Sequence, residues 1–469
     1  MQSPQQPNIL VILSDDHAQW ASHTYGNSEI RSPNIDYLAE TGLIMQNGYT
    51  PCPVCSPARA SFFTGRRPSQ HGIHDFIATG SPEFEIGWMK DEITLPQLLQ
   101  EQGYQTALIG KWHCTVDSVS PQPGFDRWVS FDSNTAGWKN QYLHKGPVFF
   151  SDQGQKVVVN DFQSRYLCRQ AIDFLRSRDT TKPFFCFYAP VDTHSPQEGH
   201  PKRLVEQYQK SHFWDIPENA KSHYKSTPER WSFGSDEPLN RNESLAQYYA
   251  AVSMIDDQIG LLLDELDLSS DLENTLLIYT SDHGYMTGHH GLWGKGPSSI
   301  PQNFYEESIR VPYILRWETV LPSRQMQHVP FDHCDLFATI LDAAGISLPH
   351  SLQAKINTPG RSLFQLLHHP NNGWRKYQFC EYGPARMISN GKKKLIRRYS
   401  PHSDRYPDEF YDLTVDPIET TNLIDTPSYQ NEIMDLSIVL ENNFSQFEDP
   451  LKSVKNLQNQ RPCNASGRW

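Results

Sequence analysis

No apolar stretch in this chain approaches the length of a membrane span. A crossing helix needs about 20 consecutive apolar residues, whereas the run at 8–13 stops directly at Ser14 and Asp15. A leader with a charged start, an apolar centre and a small-residue cleavage site is also missing. The polar start at 1–7 fits a cytoplasmic chain that begins there, or a periplasmic or secreted one whose leader has been removed. Positive charge is scarce. There are 41 Lys and Arg against 54 Asp and Glu, a net charge of −13, the reverse of the balance in a nucleic-acid binder. An acidic protein that handles anions must gather positive charge locally, in a basic pocket or through a metal. The eight cysteines are irregularly spaced and make no disulfide framework. Repeats and low-complexity tracts are absent, and the sequons at Asn242, Asn443 and Asn464 are too short a pattern to carry weight. What remains is a globular composition, 37% hydrophobic and 20% charged, with length for one large domain and a smaller one.

Short β-rich runs alternate with helical stretches, the order expected of an α/β domain whose large mixed, mostly parallel sheet lies between helices. Four runs share a feature. Residues 8–13 end in Ser14-Asp15-Asp16-His17, and 105–109 end in Gly110-Lys111-Trp112-His113. Residues 183–188 lead to Asp192-Thr193-His194, and 274–280 end in Ser281-Asp282-His283-Gly284. Open α/β sheets bind ligands beyond the carboxyl ends of their strands. One polar strand end is what solvent requires; four that carry carboxylate, ammonium and imidazole groups point to a shared site. Helices are expected over 34–41, 95–102, 162–177 and 245–266, the last packed on the sheet.

The polar segment 197–241 holds His200, Lys202, Arg203, His212, Trp214, His223, Lys225, Arg230 and Trp231. Loops of such length in a compact domain usually carry function, and this one is read as an insert facing substrate. Beyond residue 365 the character changes. Asn390-Gly391 predicts a two-residue hairpin between 385–389 and 393–398. A strand at 409–413 and a helix at 429–447 follow. The expectation is a main domain over 1–365 and a smaller α+β subdomain over 366–469 with an antiparallel sheet and a terminal helix.

The densest local pattern is Cys55-Ser56-Pro57-Ala58-Arg59, followed by Ala60-Ser61-Phe62-Phe63-Thr64-Gly65-Arg66. Pro57 suits the first turn of a helix and Gly65 its end, so Cys55 falls at the helix N-terminus, where unpaired amides attract anions. Taken alone, Cys52-Pro53-Val54-Cys55 also fits a redox dithiol or half of a zinc site, although the other cysteines are scattered singly.

Cys-x-Pro-x-Arg resembles the signature of the type I sulfatases, the formylglycine-dependent branch of the alkaline phosphatase-like superfamily. The resemblance covers most of the chain. Asp15-Asp16, Gly110-Lys111-Trp112-His113, Asp192-Thr193-His194-Ser195-Pro196, Asp282-His283-Gly284 and Gly291-Leu292-Trp293-Gly294-Lys295-Gly296 fall in the family's order. Stretches at 306–312, 335–346, 360–367 and 409–422 match as well. The resemblance implies an alkaline phosphatase-like fold and conversion of Cys55 to formylglycine by a maturation enzyme. The hydrated aldehyde would attack the sulfur of a sulfate monoester and pass through a covalent hemi-sulfate. One divalent metal would sit on Asp15, Asp16, the modified Cys55, Asp282 and His283. Hard oxygen ligands favour Ca²⁺, with Mg²⁺ or Mn²⁺ as alternatives. Adjacent carboxylates such as Asp15-Asp16 repel, so a cation is a natural reason to hold both ionised.

The same resemblance gives catalytic roles to Arg59, Lys111, His113, His194 and Lys295. Arg59, Lys111 and Lys295 would stabilise the sulfuryl oxygens, and His194 would protonate the leaving oxygen. His113 would deprotonate the second hydroxyl so that sulfate is eliminated, and Asp282 would accept the proton of the nucleophile. Lys111, His194 and Lys295, with His71 and His74, are read as substrate contacts. The departures are Ala58, where many sulfatases have Ser, and His289-His290, where an acidic residue before His is more usual. Asp-His at 282–283 also occurs in related phosphonate monoester hydrolases, often with Mn²⁺. A phosphonate monoester or phosphodiester hydrolase is therefore the second reading. A silent anion- or carbohydrate-binding protein is the third; it predicts a broken residue set, and every expected position is filled. The basic and aromatic residues of 197–241 suit a sulfated poly- or oligosaccharide, with rings stacking on sugar faces and cations meeting sulfates.

Overall fold

A strand buried on both sides must feed two apolar layers with alternate residues. The first strand, Asn8–Ser14, does so: Leu10 and Ile12 join one core, and Ile9, Val11 and Leu13 the other. It lies between Thr275–Ser281 and Phe184–Ala189, parallel to both. Gln105–Gly110 follows in parallel, and then Arg127–Phe131. In this computed structural model, which describes residues 6–78, 87–131, 144–218, 220–221, 224–226, 240–369, 373–399, 406–460 and 463, these five parallel strands form the centre of a ten-stranded sheet. Antiparallel pairs flank them. Tyr313–Arg316 joins Thr275–Ser281 to Leu43–Met45 on one side, and Val148–Asp152 joins Arg127–Phe131 to Gln155–Val159 on the other. Gln325–Gln327 closes the first edge in parallel.

Helices cover both faces. Pro33–Thr41, Gln163–Ser177 and Arg241–Leu268 pack on the Leu10 side, and Cys55–Thr64, Leu95–Glu101 and His333–Ala343 on the Val11 side. Each expected helix is present. Arg241–Leu268 begins before the apolar pattern at 245–266, because the Glu243 N–H donates to the Asn240 side chain and caps it there. Among the described residues no helix is long and apolar enough to cross a membrane.

A separate four-stranded antiparallel sheet follows: Gln378–Tyr382, Ala385–Ser389, Lys393–Arg398 and Glu409–Asp412. Its period of two divides its contacts. Phe379, Ile388, Leu395 and Phe410 bury against Ile433, Leu436, Leu440 and Phe444 of the terminal helix Gln430–Phe447. Cys380, Tyr382, Met387, Ile396 and Tyr411 face the opposite way, onto Tyr49, Cys52 and Val54. The hairpin is offset by one from its expected loop. Asn390 N–H donates to Lys393 O at 3.2 Å, so the ladder extends to Asn390 and Gly391-Lys392 make the turn. The described part of 197–241 is more ordered than a long loop. Lys202–Tyr208 is helical and buries Leu204, Val205 and Tyr208, and His200 is buried rather than facing sugar. Trp214 is 62% exposed, so it does not anchor the segment to the core. His223, Arg230, Trp231 and Asn464 lie outside the described residues.

Gly110 ends its strand at φ +123°, and a Cβ there would stand 2.1 Å from the Ala189 carbonyl oxygen. That carbonyl accepts the Lys111 N–H at 3.0 Å. Gly110→Ala is therefore expected to destabilise the protein by about 1–3 kcal/mol, the usual cost of overpacking. Urea unfolding measures this, and an unchanged midpoint contradicts the constraint.

Candidate active site

The four strands that ended in charged or imidazole residues are neighbours in the sheet, and they run the same way. Their carboxyl ends share one edge. Ser14 pairs with Ser281, so Asp15 and Asp282 leave adjacent strands together. Gly110 pairs with Ala189, which brings Lys111 beside the segment leading to His194. The helix Cys55–Thr64 delivers its first residue to that edge. Val54 is its N-cap, Pro57 stands in the first turn where a missing N–H breaks no helical bond, and Gly65 ends it by donating to Ser61 O at 2.9 Å. Cys55 and Arg59, one turn apart, share a face.

Lys111 Nζ donates to Asp15 Oδ2 at 2.6 Å, and Lys295 Nζ donates to Asp16 Oδ1 at 2.6 Å and to Cys55 Sγ at 3.1 Å. Arg59 donates from Nε to Asp282 Oδ2 at 2.9 Å and from NH1 to the Lys111 carbonyl at 2.8 Å. His283 donates Nδ1–H to Gly284 O at 2.9 Å, which aims Nε2 at Cys55 Sγ (3.2 Å), Asp16 Oδ1 (3.3 Å) and Asp282 Oδ1 (3.6 Å). His194 donates Nδ1–H to Ser195 O at 2.6 Å, and a ring nitrogen, the two aspartates Asp15 and Asp16 and Cys55 Sγ all lie within 4.8 Å of one another. His113 donates Nε2–H to Ile77 O at 2.9 Å, and its Nδ1 is buried without a hydrogen-bond partner among the described residues. Asp16 and His113 adopt left-handed backbone (φ 69° and 56°), strain that non-glycine residues hold where the surroundings fix them.

These residues suit a cation. Asp15, Cys55, Asp282 and His283 offer donor atoms within 4.8 Å of one another, and Asp16 Oδ2 is buried without a hydrogen-bond partner among the described residues. The electrostatics follow from burial set against charge. Burial alone would raise the Asp15 carboxyl, but Lys111 holds it far below the usual carboxylate range. Burial and the Asp15 charge push Asp282 up to about 6. Burial would likewise raise the Cys55 thiol, yet Lys111, Lys295 and His283 bring it well below an ordinary thiol. Cys52, three residues earlier, is pushed up by burial and sits in the apolar layer with Cys380. The two cysteines occupy different chemical environments, which argues against a redox dithiol.

His71 and His74, read as substrate contacts, lie outside the cluster around Cys55. Ile73 N–H donates to His71 Nδ1 at 3.1 Å, and Nε2 shares a hydrogen bond with Ser61 Oγ at 3.2 Å. His74 donates Nε2–H to Lys452 O at 2.7 Å. The first ring is thus held within the segment around the short helix Pro68–His71, and the second by the C-terminal segment. Supporting residues escaped sequence reasoning. His333 donates Nε2–H to the Asp282 carbonyl at 3.0 Å, with Tyr313 Oη 2.5 Å from its Nδ1, and Tyr248 O–H donates to the Asp16 carbonyl at 2.7 Å. They sit on distant elements and belong to no motif. His289 packs on Trp20 with ring centroids 4.6 Å apart, while His290 pairs with Glu307 at 2.9 Å and stacks on Tyr305 at 3.6 Å.

A parallel-centred sheet with an acidic, ammonium-lined cluster at its carboxyl edge and a helix N-terminus aimed into it defines a hydrolase of anionic esters on an alkaline phosphatase-like scaffold. Residues 7–346 match the sulfatase family model, and 288–446 match the model described as N-sulphoglucosamine sulphohydrolase, C-terminal. The chain belongs to the type I sulfatases and is a sulfuric ester hydrolase. It is similar to the N-acetylglucosamine-6-O-sulfatase of Bacteroides thetaiotaomicron, 28% identical over 95% of this chain and 87% of that one. A solved protein in complex with its substrate, D-glucosamine-2-N,6-O-disulfate, superposes with a TM-score of 0.79 at 25% identity, covering 94% of this chain and 98% of that one. The phosphonate monoester hydrolase of Agrobacterium radiobacter shares the fold, with a TM-score of 0.73 at 20% identity over 94% of this chain and 96% of that one.

The His290–Glu307 pair yields a test. Burial lowers His290, but Glu307 more than offsets this and the ring ends above its ordinary 6.5. A raised folded value stabilises fully below pH 6.5 and loses that contribution as pH climbs through the folded value. Glu307→Gln is expected to leave burial dominant and bring His290 below its wild-type value in an NMR titration. An unmoved titration rejects the pairing.

Proposed function

We propose that this protein hydrolyses sulfate monoesters on a sulfated poly- or oligosaccharide, using formylglycine made from Cys55 by a maturation enzyme. The observation that carries this reading is the meeting, at the head of one helix, of Cys55 with Asp15, Asp16, Asp282, Lys111, Lys295, His194 and His283. Asp15, Asp16, residue 55, Asp282 and His283 would hold one divalent cation, Ca²⁺ first, with Mg²⁺ or Mn²⁺ as alternatives. Bound there, it would supply Lewis acidity to the nucleophilic and sulfuryl oxygens. The names of the relatives, a 6-O-sulfatase of N-acetylglucosamine and a protein whose substrate is a sulfated glucosamine, support a sulfated sugar. The exposed Trp214 is a further candidate for stacking on a sugar ring. In this reading residues 1–365 hold the chemistry, and 366–469 brace the strip before Cys55 through Cys380, Tyr382 and Met387.

The position of Cys55 Sγ stands in for the hydroxyls of the hydrated aldehyde. Asp282 takes the proton of the attacking hydroxyl. Attack on sulfur then forms the S–O bond to residue 55 and breaks the bond to the sugar oxygen. Lys111, Lys295 and Arg59 offset charge on the sulfuryl oxygens. A sugar alkoxide leaves poorly, so His194 delivers a proton to it. The hemi-sulfate on residue 55 is resolved when His113 removes the proton of the remaining hydroxyl. The C–O bond to sulfate then breaks and the aldehyde returns.

The second reading, a phosphonate monoester or phosphodiester hydrolase, rests on His283, since imidazole tolerates transition metals better than Asn does. Mature protein assayed on an aryl sulfate and an aryl phosphonate monoester separates the two. Sulfate turnover should dominate, and peptide mass spectrometry should find aldehyde or hydrate at residue 55. A strong phosphonate preference with Mn²⁺ transfers the assignment, and high turnover from protein carrying only unmodified Cys55 removes it.

The acid role of His194 has its own measurement. General acid catalysis contributes about 10²–10⁴-fold, and the contribution grows with the basicity of the leaving oxygen. His194→Ala should lose most activity on sulfated sugars and far less on 4-nitrophenyl sulfate. Equal losses on both make His194 a binding residue instead.

A further inference from the structure

We propose that His144, Asp192 and His200 form a second metal site, of the Zn²⁺ class, behind the loop that carries His194. None of these three is in the cluster around Cys55. They come from separate parts of the chain. His144 precedes the strand Val148–Asp152, Asp192 follows Phe184–Ala189, and His200 precedes the helix Lys202–Tyr208. One donor atom from each lies within 4.8 Å of the others, and the three residues are only 3%, 3% and 6% exposed.

The unmade hydrogen bonds are the main observation. Asp192 Oδ2, His144 Nδ1 and both ring nitrogens of His200 are buried without a partner among the described residues. Such atoms are costly to bury, and folded proteins leave few of them. Four in one place ask for a ligand. The ligand should be a cation, because Asp192 has no opposing positive charge. Burial pushes its carboxyl up to about 7, and no charged group counters this.

The donor chemistry narrows the class. Two imidazoles and one carboxylate suit Zn²⁺ and other borderline ions rather than Ca²⁺, which prefers oxygen throughout. Burial keeps both rings neutral, the form that ligates: His144 falls to about 4, and His200 lies well below its ordinary value. His144 is also oriented for the task. Its Nε2–H donates to His194 O and Pro196 O, both at 3.0 Å, so the lone pair is on Nδ1. Ligating histidines usually hold a carbonyl or carboxylate through their other nitrogen in this way. The two rings stack with centroids 4.3 Å apart; ligation would splay them so that their lone pairs converge, with water as fourth ligand. An ion there would clamp residues 192–196 and so steady His194. That consequence rests on the proposed acid role, whereas the metal site does not.

The experiment counts metal rather than turnover. Full-length protein and its Asp282→Ala variant, made in a Cys55→Ala background so that both candidate donor groups around Cys55 lose a ligand, are equilibrated with Zn²⁺, freed of excess by gel filtration and analysed by plasma mass spectrometry. Asp282→Ala should retain one equivalent of Zn²⁺. Adding His200→Ala or His144→Ala to that background should remove it. Zn²⁺ should raise the melting temperature of the parent but not of these variants. Retention that is unchanged by either histidine substitution overturns the site, as does a lack of retained Zn²⁺ in Asp282→Ala. If the histidine variants fail to fold, Co²⁺ added to Asp282→Ala decides: imidazole-ligated, low-coordinate absorption bands support the site, and a spectrum of hydrated ion rejects it. Mature protein that retains this Zn²⁺ yet has no sulfatase activity would refute the proposed function and leave the site standing.

Discussion

Asp15, Asp16 and Asp282 are held without solvent contact at one edge of the sheet, and their mutual repulsion is the constraint that the surrounding structure answers. Taking a single ion out of water costs several kcal/mol unless partners compensate. Here Lys111 meets Asp15, Lys295 meets Asp16, and Arg59 spans Asp282 and the Lys111 carbonyl. Each cation arrives on a different element: the end of a parallel strand, the loop after Thr275–Ser281, and the helix that begins at Cys55. The site therefore exists only when sheet and helix are assembled together. The backbone behind it is tied down as well, with His333 on the Asp282 carbonyl, Tyr248 on that of Asp16 and the Thr193 hydroxyl on that of Asp15.

The same balance explains how a chain with a net charge of −13 can receive an anion. Three carboxylates are matched by Lys111, Lys295 and Arg59, so any divalent cation leaves the cluster net positive. The helix N-terminus at Cys55 adds unpaired amide dipoles of the same sign. Long-range repulsion from an acidic surface is screened within about 8–10 Å at physiological salt, whereas the buried charges act at contact distance. The acidic surface and the cationic pocket therefore do not conflict. Cys55 shows the effect on a single group: the charge field that would organise an anion also acidifies its thiol, while Cys52 in the neighbouring apolar layer moves the opposite way.

What could be read from the sequence was whatever one segment states by itself. The runs before Asp15, Lys111, His194 and Asp282 are buried strands with polar ends, and parallel pairing brings such ends together without further information. Cys55 to Gly65 encodes a helix start and stop, and the helix runs as written. The misreadings arose where a second segment decides. His71 and His74 follow the signature closely, but Ser61 and Ile73 hold the first ring and the Lys452 carbonyl holds the second. His200 lies in a polar stretch and reads as exposed, yet the turn into Lys202–Tyr208 buries it against His144, more than fifty positions earlier. Asn390-Gly391 marks a turn, but the ladder partner Lys393 fixes which two residues occupy it. His333 and Tyr313 carry no local pattern, because their role comes from the packing of one helix under a strand end.

The scaffold cannot choose between sulfuryl and phosphonyl transfer, since both chemistries use it, and neither can charge, because a sulfate monoester and a phosphonate monoester each carry one negative charge. The difference lies in the third substituent of the transferred group: an oxygen on sulfur, a carbon on the phosphonate. A carbon substituent needs an apolar wall, whereas an oxygen needs donors. The groups that meet Cys55 Sγ are Lys295, His283 and Asp15, with His113 and Lys111 close by. Lys295, Lys111 and the two imidazoles can donate to an oxygen, and a carbon substituent in its place would leave such donors unpaired at about 1–3 kcal/mol each. A site built to hydrogen-bond an oxygen rejects the analogue lacking it more strongly than an apolar pocket rejects an added hydroxyl. The polar wall around residue 55 therefore favours the sulfuryl group, even though His283 would accommodate the metals of either chemistry.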